Sequence, residues 1–336
     1  MRKLSTALAI VAAVCASAAA CGGSDSPSGS PTRPGPVVQP PPSVPSPDAW
    51  AIEGTVVATI SRAPVAGASV NAAIADAVLT DAQGRFRLEG SSIPTPSTFR
   101  VTVTAAGHLT REVWVAWRRG TRDLTFDIVA ETAPFSLAFY RQLARDAYEE
   151  EDGLEDLVVW RSAPSFYVRT TDENGRAISS GVLRTITNTI RTAVRDFTGG
   201  RFNAAAIDTG SSTRRERAGW VNVHIVQETD GACGTAFVGA NPGQITLLHS
   251  GCGCDDGEIS SEIVAHEVGH ALGFFHVSDR RSLMYPFVTG NCPNGSLTPT
   301  ERHHASVAYS RPRGNTDPDS DPQSVSLVDR RIRVVN

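Results

Sequence analysis

His266-Glu267-Val268-Gly269-His270-Ala271-Leu272-Gly273-Phe274-Phe275-His276 is the stretch that decides how this chain reads. Its pattern is H-E-x-x-H-x-x-G-x-x-H. Positions i and i+4 of a helix share a face, so His266 and His270 can aim their imidazoles at one point. Glu267 stands beside the first of them, with a carboxylate placed to hold a water. A third imidazole cannot come from the next helical turn at good tetrahedral angles, so the helix has to stop and turn back. Gly273 can take the positive φ such a stop needs, and His276 then arrives from outside the helix. Three neutral imidazoles suit zinc and leave its fourth position open, the arrangement of a catalytic site and not of a closed structural one.

A second signal follows in Ser282-Leu283-Met284-Tyr285-Pro286, where the chain places the only methionine it has besides Met1. With that, the sequence resembles the metzincin zinc metalloproteases, in their matrixin-like branch, whose pattern is HExGHxxGxxH followed by a similar L-M-Y-P. Chance helix-surface histidines are the competing explanation, and it has to account for Gly273, His276 and Met284 together. The resemblance implies an α+β catalytic domain: a twisted mixed sheet, a zinc helix, a Met-turn and a C-terminal helix. It implies one catalytic Zn²⁺ on His266, His270 and His276, with Glu267 as general base and Met284 as an apolar floor under the metal. Tyr285 to Val288 would line the pocket for the side chain beyond the cleaved bond, with Tyr285 alternatively supporting the site from behind. A protein or peptide substrate would add as a strand to an exposed edge, at Thr235–Gly239 or Ile245–Leu248. A propeptide cysteine cannot silence the metal from upstream, because no Cys lies between Cys21 and Cys233.

The rest of the catalytic segment, 160–312, reads consistently with this. Ser165–Thr170, Trp220–Gln227 and Ile245–Leu248 read as strands. Ser179 to Phe197 is a helix with Leu183, Ile186, Ile190, Ala193 and Phe197 on one face. The zinc helix runs from about Glu258 to Leu272. Thr298-Pro299-Thr300-Glu301 opens another, with Thr as N-cap, Pro at N1 and Glu closing a capping box, and it ends near Tyr309. His224 and His249 fall in strands and read as structural, while His303 and His304 read as surface residues. Residues 313–336 form a polar tail. Its Asp317, Asp319 and Asp321 have a calcium-loop spacing, but the prolines and the missing Gly and terminal Glu support no structural Ca²⁺ there.

Upstream, residues 49–130 alternate in short runs (Ile52–Ile60, Ala68–Ala72, Phe86–Leu88, Arg100–Thr104, Val113–Ala116, Leu124–Ile128), the signature of a small all-β sandwich. Asp81-Ala82-Gln83-Gly84 signals a hairpin turn. The phrases Pro64-Val65-Ala66-Gly67-Ala68-Ser69-Val70, Thr80–Phe86 and Ala105-Ala106-Gly107-His108 resemble the carboxypeptidase regulatory-like family. No catalytic cluster occurs there, and the module reads as a spacer. Residues 131–159 form a connector with a short amphipathic helix at Phe135, Phe139 and Leu143. The acidic run Glu149-Glu150-Glu151-Asp152 after it reads as a solvated loop.

The N-terminus sets the compartment. Arg2 and Lys3 precede an alanine-rich apolar run to Ala20, too short and too weakly apolar for a membrane span and suited to a signal peptide, 1–20. Ala18-Ala19-Ala20-Cys21 resembles a bacterial lipobox, with Ala18 where Leu is preferred. Cys21 is then a lipid anchor on a bacterial cell envelope or surface; the alternative is cleavage after Ala20 and secretion. Residues 21–48 form a Pro/Ser/Gly linker of polyproline character. Cys233, Cys252, Cys254 and Cys292 fit two disulfides of an oxidising space, with Cys252 and Cys254 each pairing to Cys233 or Cys292. With 31 basic against 35 acidic residues, the charge gives no footprint for nucleic acid. The expectation is a monomeric, exported zinc endopeptidase, and the rival is a non-catalytic surface binding protein on the same scaffold.

Overall fold

The structure is a computed structural model describing residues 50–92, 97–212, 216–250, 252, 259–287, 295–324 and 334–335. The segments expected as a signal peptide, 1–20, and as a linker, 21–48, with Cys21, lie outside the described residues, as do Cys254, Cys292 and Val288. No helix among the described residues is long and apolar enough to cross a membrane.

The first seven strands are β1 (Trp50–Ala58), β2 (Ser69–Ala72), β3 (Ala75–Leu79), β4 (Arg85–Gly90), β5 (Thr98–Thr104), β6 (Arg111–Ala116) and β7 (Leu124–Ile128). They form two sheets, ordered β4-β1-β7 and β3-β2-β5-β6. Alternation makes the sandwich: Phe86 and Leu88 of β4 and Phe99, Val101 and Val103 of β5 face inward while their neighbours face out. The Asp81–Gly84 turn exists, with Gly84 at φ 72°, but it makes no hairpin. It carries the chain from β3 in one sheet to β4 in the other.

The connector is more than expected. Its helix α1 (Leu137–Arg145) starts at the N-cap Ser136, and Tyr140, Leu143, Leu157, Val159 and Trp160 all belong to the same buried cluster as Ile186, Val264, Val268 and Ala305. Residues 131–159 are thus core of the second domain and not a spacer.

That domain continues with β8 (Ser165–Arg169), α2 (Ser180–Phe197), β9 (Ile207–Gly210), β10 (Trp220–Val226), β11 (Gly234–Phe237), β12 (Gly243–Leu248), α3 (Ser261–Ala271), α4 (Pro299–Tyr309) and β13 (Val334–Val335). The sheet order is β13-β11-β12-β10-β8-β9. β8, β9, β10 and β12 run parallel, and β11 is antiparallel to β12. α2 buries Val182, Ile186, Ile190, Ala193, Val194 and Phe197, the 3.6-residue stripe read from the sequence, with Leu183 at its edge. α3 is buried on every side from Ile263 to Ala271, which is why its sequence shows little amphipathic period. α4 has the expected capping box, Thr298 with Glu301.

The polar tail is a correction. Asn315 and Asp319 are buried, and the D-P-D-S-D-P run is a clasp between the domains. Arg311, directly after α4, reaches Asp319 at 2.6 and 2.7 Å, Asp127 of β7 at 2.5 Å and Thr59 at 3.1 Å. Arg111 of β6 holds Asp319 at 2.5 Å and Asp321 at 2.8 Å, and Arg141 of α1 holds Asp317. The aspartates spaced like a calcium loop are therefore engaged by arginines.

Candidate metal centre

α3 carries the first two histidines one turn apart and ends where the sequence says it must. Leu272 is its C-cap and Gly273 follows at φ 103°. A Cβ on Gly273 would also sit 3.0 Å from the Val158 backbone. The orphan carbonyls of this helix end have named partners: the Trp160 indole N–H donates to Ala271 O at 2.8 Å and the Tyr309 hydroxyl to Leu272 O at 2.9 Å. A helix terminus fastened this way fixes where the next turn, and with it His276, can go.

The ligand atoms of His266, His270 and His276 lie within 4.8 Å of one another. Each imidazole has its Nδ1 occupied by an acceptor. His266 Nδ1 donates to Leu283 O at 2.7 Å, His270 Nδ1 to Phe274 O at 2.8 Å, and His276 Nδ1 to Glu149 Oε1 at 2.9 Å. Those bonds select the tautomer in which every Nε2 keeps its lone pair and turns it inward. His266 Nε2 and His270 Nε2 approach to 2.9 Å, near the roughly 3.3 Å expected for two nitrogens each about 2.05 Å from one tetrahedral ion. His276 Nε2 is buried without a partner. An orphaned inward lone pair beside two others is a donor set of the kind that ligates zinc, so the residues fit that ion.

Electrostatics agree. Burial, with the neighbouring His276, pushes His266 down to about 4. Burial and the two other imidazoles push His270 well below its ordinary value, and burial lowers His276 against the opposing pull of Glu149. All three are neutral at pH 7, the state that ligates. Glu267 is buried beside them, and burial raises its carboxyl well above the usual range. Its Oε2 has no partner.

Met284 lies directly under the motif. A Cβ on Gly269, inside the signature, would be 2.6 Å from the Met284 sulfur, so the glycine is what lets the sulfur approach the helix. Met284 N–H is held at 3.0 Å by Ser282 Oγ and at 3.1 Å by Glu301 Oε1, and its carbonyl accepts from Val277 N at 3.0 Å. A cavity of about 500 Å³ opens beside His266 and Glu267, lined by Cys233, Gly234, Ile263, Leu283, Tyr285, Pro286 and Phe287, with Asp230 and Glu262 also on it. A cleft of about 640 Å³ on the sandwich is larger, but the histidine triad is the one candidate metal-binding group among the described residues.

Several readings need revision. Glu149 is no solvated bystander, since it orients His276, with the Tyr148 ring edge-on to the same imidazole. His304 is fully buried, stacked on Phe135 and bonded to the backbone of Ser136 and Thr300; an α1 partner hidden in the connector explains why it read as surface. β12 is interior, between β11 and β10, whereas β11 is flanked on its outer side by the two-residue strand β13 alone. His224 and His249 stay outside the triad. Cys233 pairs with Cys252, one of the pairings left open, and this disulfide borders the cavity through Cys233. Glu149, Glu301, Trp160 and Tyr309 were missed as site supports. The capping-box reading had found Glu301, but nothing in sequence spacing ties its carboxylate to Met284.

Residues 209–309 match the matrixin family model, and residues 51–129 match that of the carboxypeptidase regulatory-like domain. The chain thus has a segment similar to a matrixin domain behind one similar to a carboxypeptidase regulatory-like domain, and the mixed sheet and four helices of its described residues fit a metzincin fold. The matrixin domain supports a zinc metalloprotease. No curated protein matches the chain. Among solved structures, it is similar to part of an N-terminal interface mutant of a type II cohesin–X-dockerin complex from Acetivibrio cellulolyticus, at 24% identity and TM-score 0.20, covering 24% of this chain and 58% of that one. The C-terminal interface mutant of the same complex gives 23% identity and TM-score 0.21, covering 26% and 66%. The chain therefore spans less than two thirds of either structure.

Proposed function

We propose that this chain is an exported, lipid-anchored zinc endopeptidase. The observation that carries the reading is the convergence of the three imidazoles beside a cavity lined by both His266 and Glu267, whose Oε2 is unpartnered. His266, His270 and His276 would hold the ion. Bound zinc supplies Lewis-acid polarisation and lowers the pKa of a water toward neutrality. Glu267 would take a water's proton and hand it to the leaving amine, and burial raises its carboxyl above the usual range. The outer edge of β11 binds the substrate backbone, and the cavity bounded by Ile263, Leu283 and Tyr285 receives the side chain beyond the cleaved bond. Met284 packs under the helix and moves no proton. The sequence at Cys21 supports attachment to a membrane surface of a bacterial envelope.

The test is cleavage of casein or gelatin peptides by residues 50–336 with metal content assayed alongside. Glu267→Ala should lose about 10²–10⁴-fold in kcat while keeping about one zinc per chain. Zinc bound without cleavage in either protein would favour the non-catalytic binding role. Absence of zinc would sink the reading. Fatty-acid labelling that vanishes in Cys21→Ala would establish the anchor.

A further inference from the structure

β11 has two edges. Its inner edge is taken by β12, with Gly234 opposite Leu247 and Ala236 opposite Ile245. Its outer edge meets the chain's own segment Val334–Val335, antiparallel, with Ala236 opposite Val335 and Phe237 opposite Val334. The other end of β11 is at the metal centre. A Cβ on Gly234 would lie 2.6 Å from Glu267 Oε1, and Gly234 and Cys233 line the cavity beside His266.

The register gives distance and direction. Strand residues rise about 3.4 Å each, so the Ala236–Val335 pair stands two residues, about 7 Å, from the level of Gly234. Because the pairing is antiparallel, the step from Val334 to Val335 runs toward Gly234 and Glu267. An extended peptide that is to present a bond between Glu267 and the three imidazoles has to lie along this same edge. The lane and the segment cannot be shared.

We propose that Val334–Val335 is an internal competitor that occupies the substrate edge of β11 and must leave before a peptide can bind. This rests on the reading of that edge as the peptide lane. The contact is two residue pairs long, so it is readily displaced. It gains its effect from being part of the same chain, since a tethered segment acts at an effective concentration that can reach the millimolar range. No covalent step is involved. The signature is therefore purely competitive: KM carries the effect and kcat does not.

The experiment compares the zinc-loaded full chain with a variant ending at Ser324, which keeps Asp319 and Asp321 and so the clasp between domains. KM for a peptide substrate should fall at least about threefold with kcat unchanged, and the outward-facing β11 amides should exchange at least about tenfold faster. A synthetic peptide of residues 330–336 should reverse both changes. Val335→Pro in the full chain, where proline cannot donate to the ladder, should behave like the truncation, which covers a truncated protein that folds poorly. Equal KM and equal amide protection in full chain and variants would overturn the proposal. If no protein cleaves any peptide, the protease reading fails, and amide exchange with the 330–336 peptide still decides whether the segment sits on β11.

Discussion

Glu301 and Met284 are joined directly: the Glu301 carboxylate accepts the Met284 backbone N–H at 3.1 Å from inside α4. The same oxygen accepts from Ser282 Oγ, and the other oxygen closes the capping box on Thr298 N at 2.7 Å. One buried carboxylate thus pins the turn under the metal to the start of the last helix. Glu301→Ala should cost on the order of 3 kcal/mol, because it strands several buried donors at once, and should loosen the Met-turn. Urea unfolding of the zinc-loaded protein measures the first effect. A loss below about 0.5 kcal/mol would mean the turn holds without it.

Glu149 reaches His276 from a turn 127 residues upstream, outside the H-E-x-x-H-x-x-G-x-x-H stretch. Removing an outer partner of a metal-bound histidine commonly lowers metal affinity about 10–100-fold. Glu149→Ala should show that loss in competition with a chelating dye, and Glu149→Gln, which can still accept from Nδ1, should show less. Equal affinities in all three proteins would remove Glu149 from the site.

The histidine triad should make the metal-free protein acid-sensitive. An imidazole buried neutral has a folded pKa below its unfolded value, near 6.5 for the unfolded chain, and His266 is down to about 4. Between those values the unfolded state binds the extra proton, so stability falls as pH drops from about 6.5 toward 4. Below the folded value the loss is complete. Thermal melts of metal-free protein should show Tm declining through that window, and excess zinc should raise Tm most at its upper end. A Tm flat from pH 7 to 4.5 would contradict the burial described.

Arg311 holds Asp319, Asp127 and Thr59 while only 1% of its side chain is exposed. For Asp127, burial works upward, but the Arg311 charge and hydrogen bonds outweigh it and leave the carboxyl below its ordinary value. Arg311→Met leaves Asp127 without its arginine and Asp319 with Arg111 alone, and breaking a buried pair of this kind costs about 3–5 kcal/mol. Differential scanning calorimetry should show a lower transition for the whole molecule. A variant in which only the sandwich melts early would show that the two domains unfold separately.

How much of this was legible beforehand depends on range. His266, His270, Gly273 and His276 declare themselves because a helix and its stop are local devices, readable from spacing. The Thr298–Glu301 cap and the α2 stripe are local too. Glu149 and His304 were misjudged because their partners, His276 and Ser136, are 127 and 168 residues away, and a charged or polar residue without its partner in view looks solvated. The D-P-D-S-D-P run failed the same way: composition says linker, and only the arrangement of Arg111, Arg141 and Arg311 turns its aspartates into anchors. The supposed hairpin at Asp81–Gly84 shows the converse, where turn chemistry is local but strand pairing is not.

The Arg311 clasp also bears on what a boundary in this chain means. The matrixin match begins at residue 209, yet Trp160 caps the zinc helix, Leu143 O accepts the Phe275 N–H, and the clasp ties α4's end to the sandwich. The piece that evolution recognises as a module is smaller than the piece that must fold for its metal site to exist. A graft of residues 209–309 onto another protein would carry the signature and leave behind β8, α2 and the residues that give it shape. Here inheritance and cooperativity are drawn along different lines, and an engineer moving this site should follow the second.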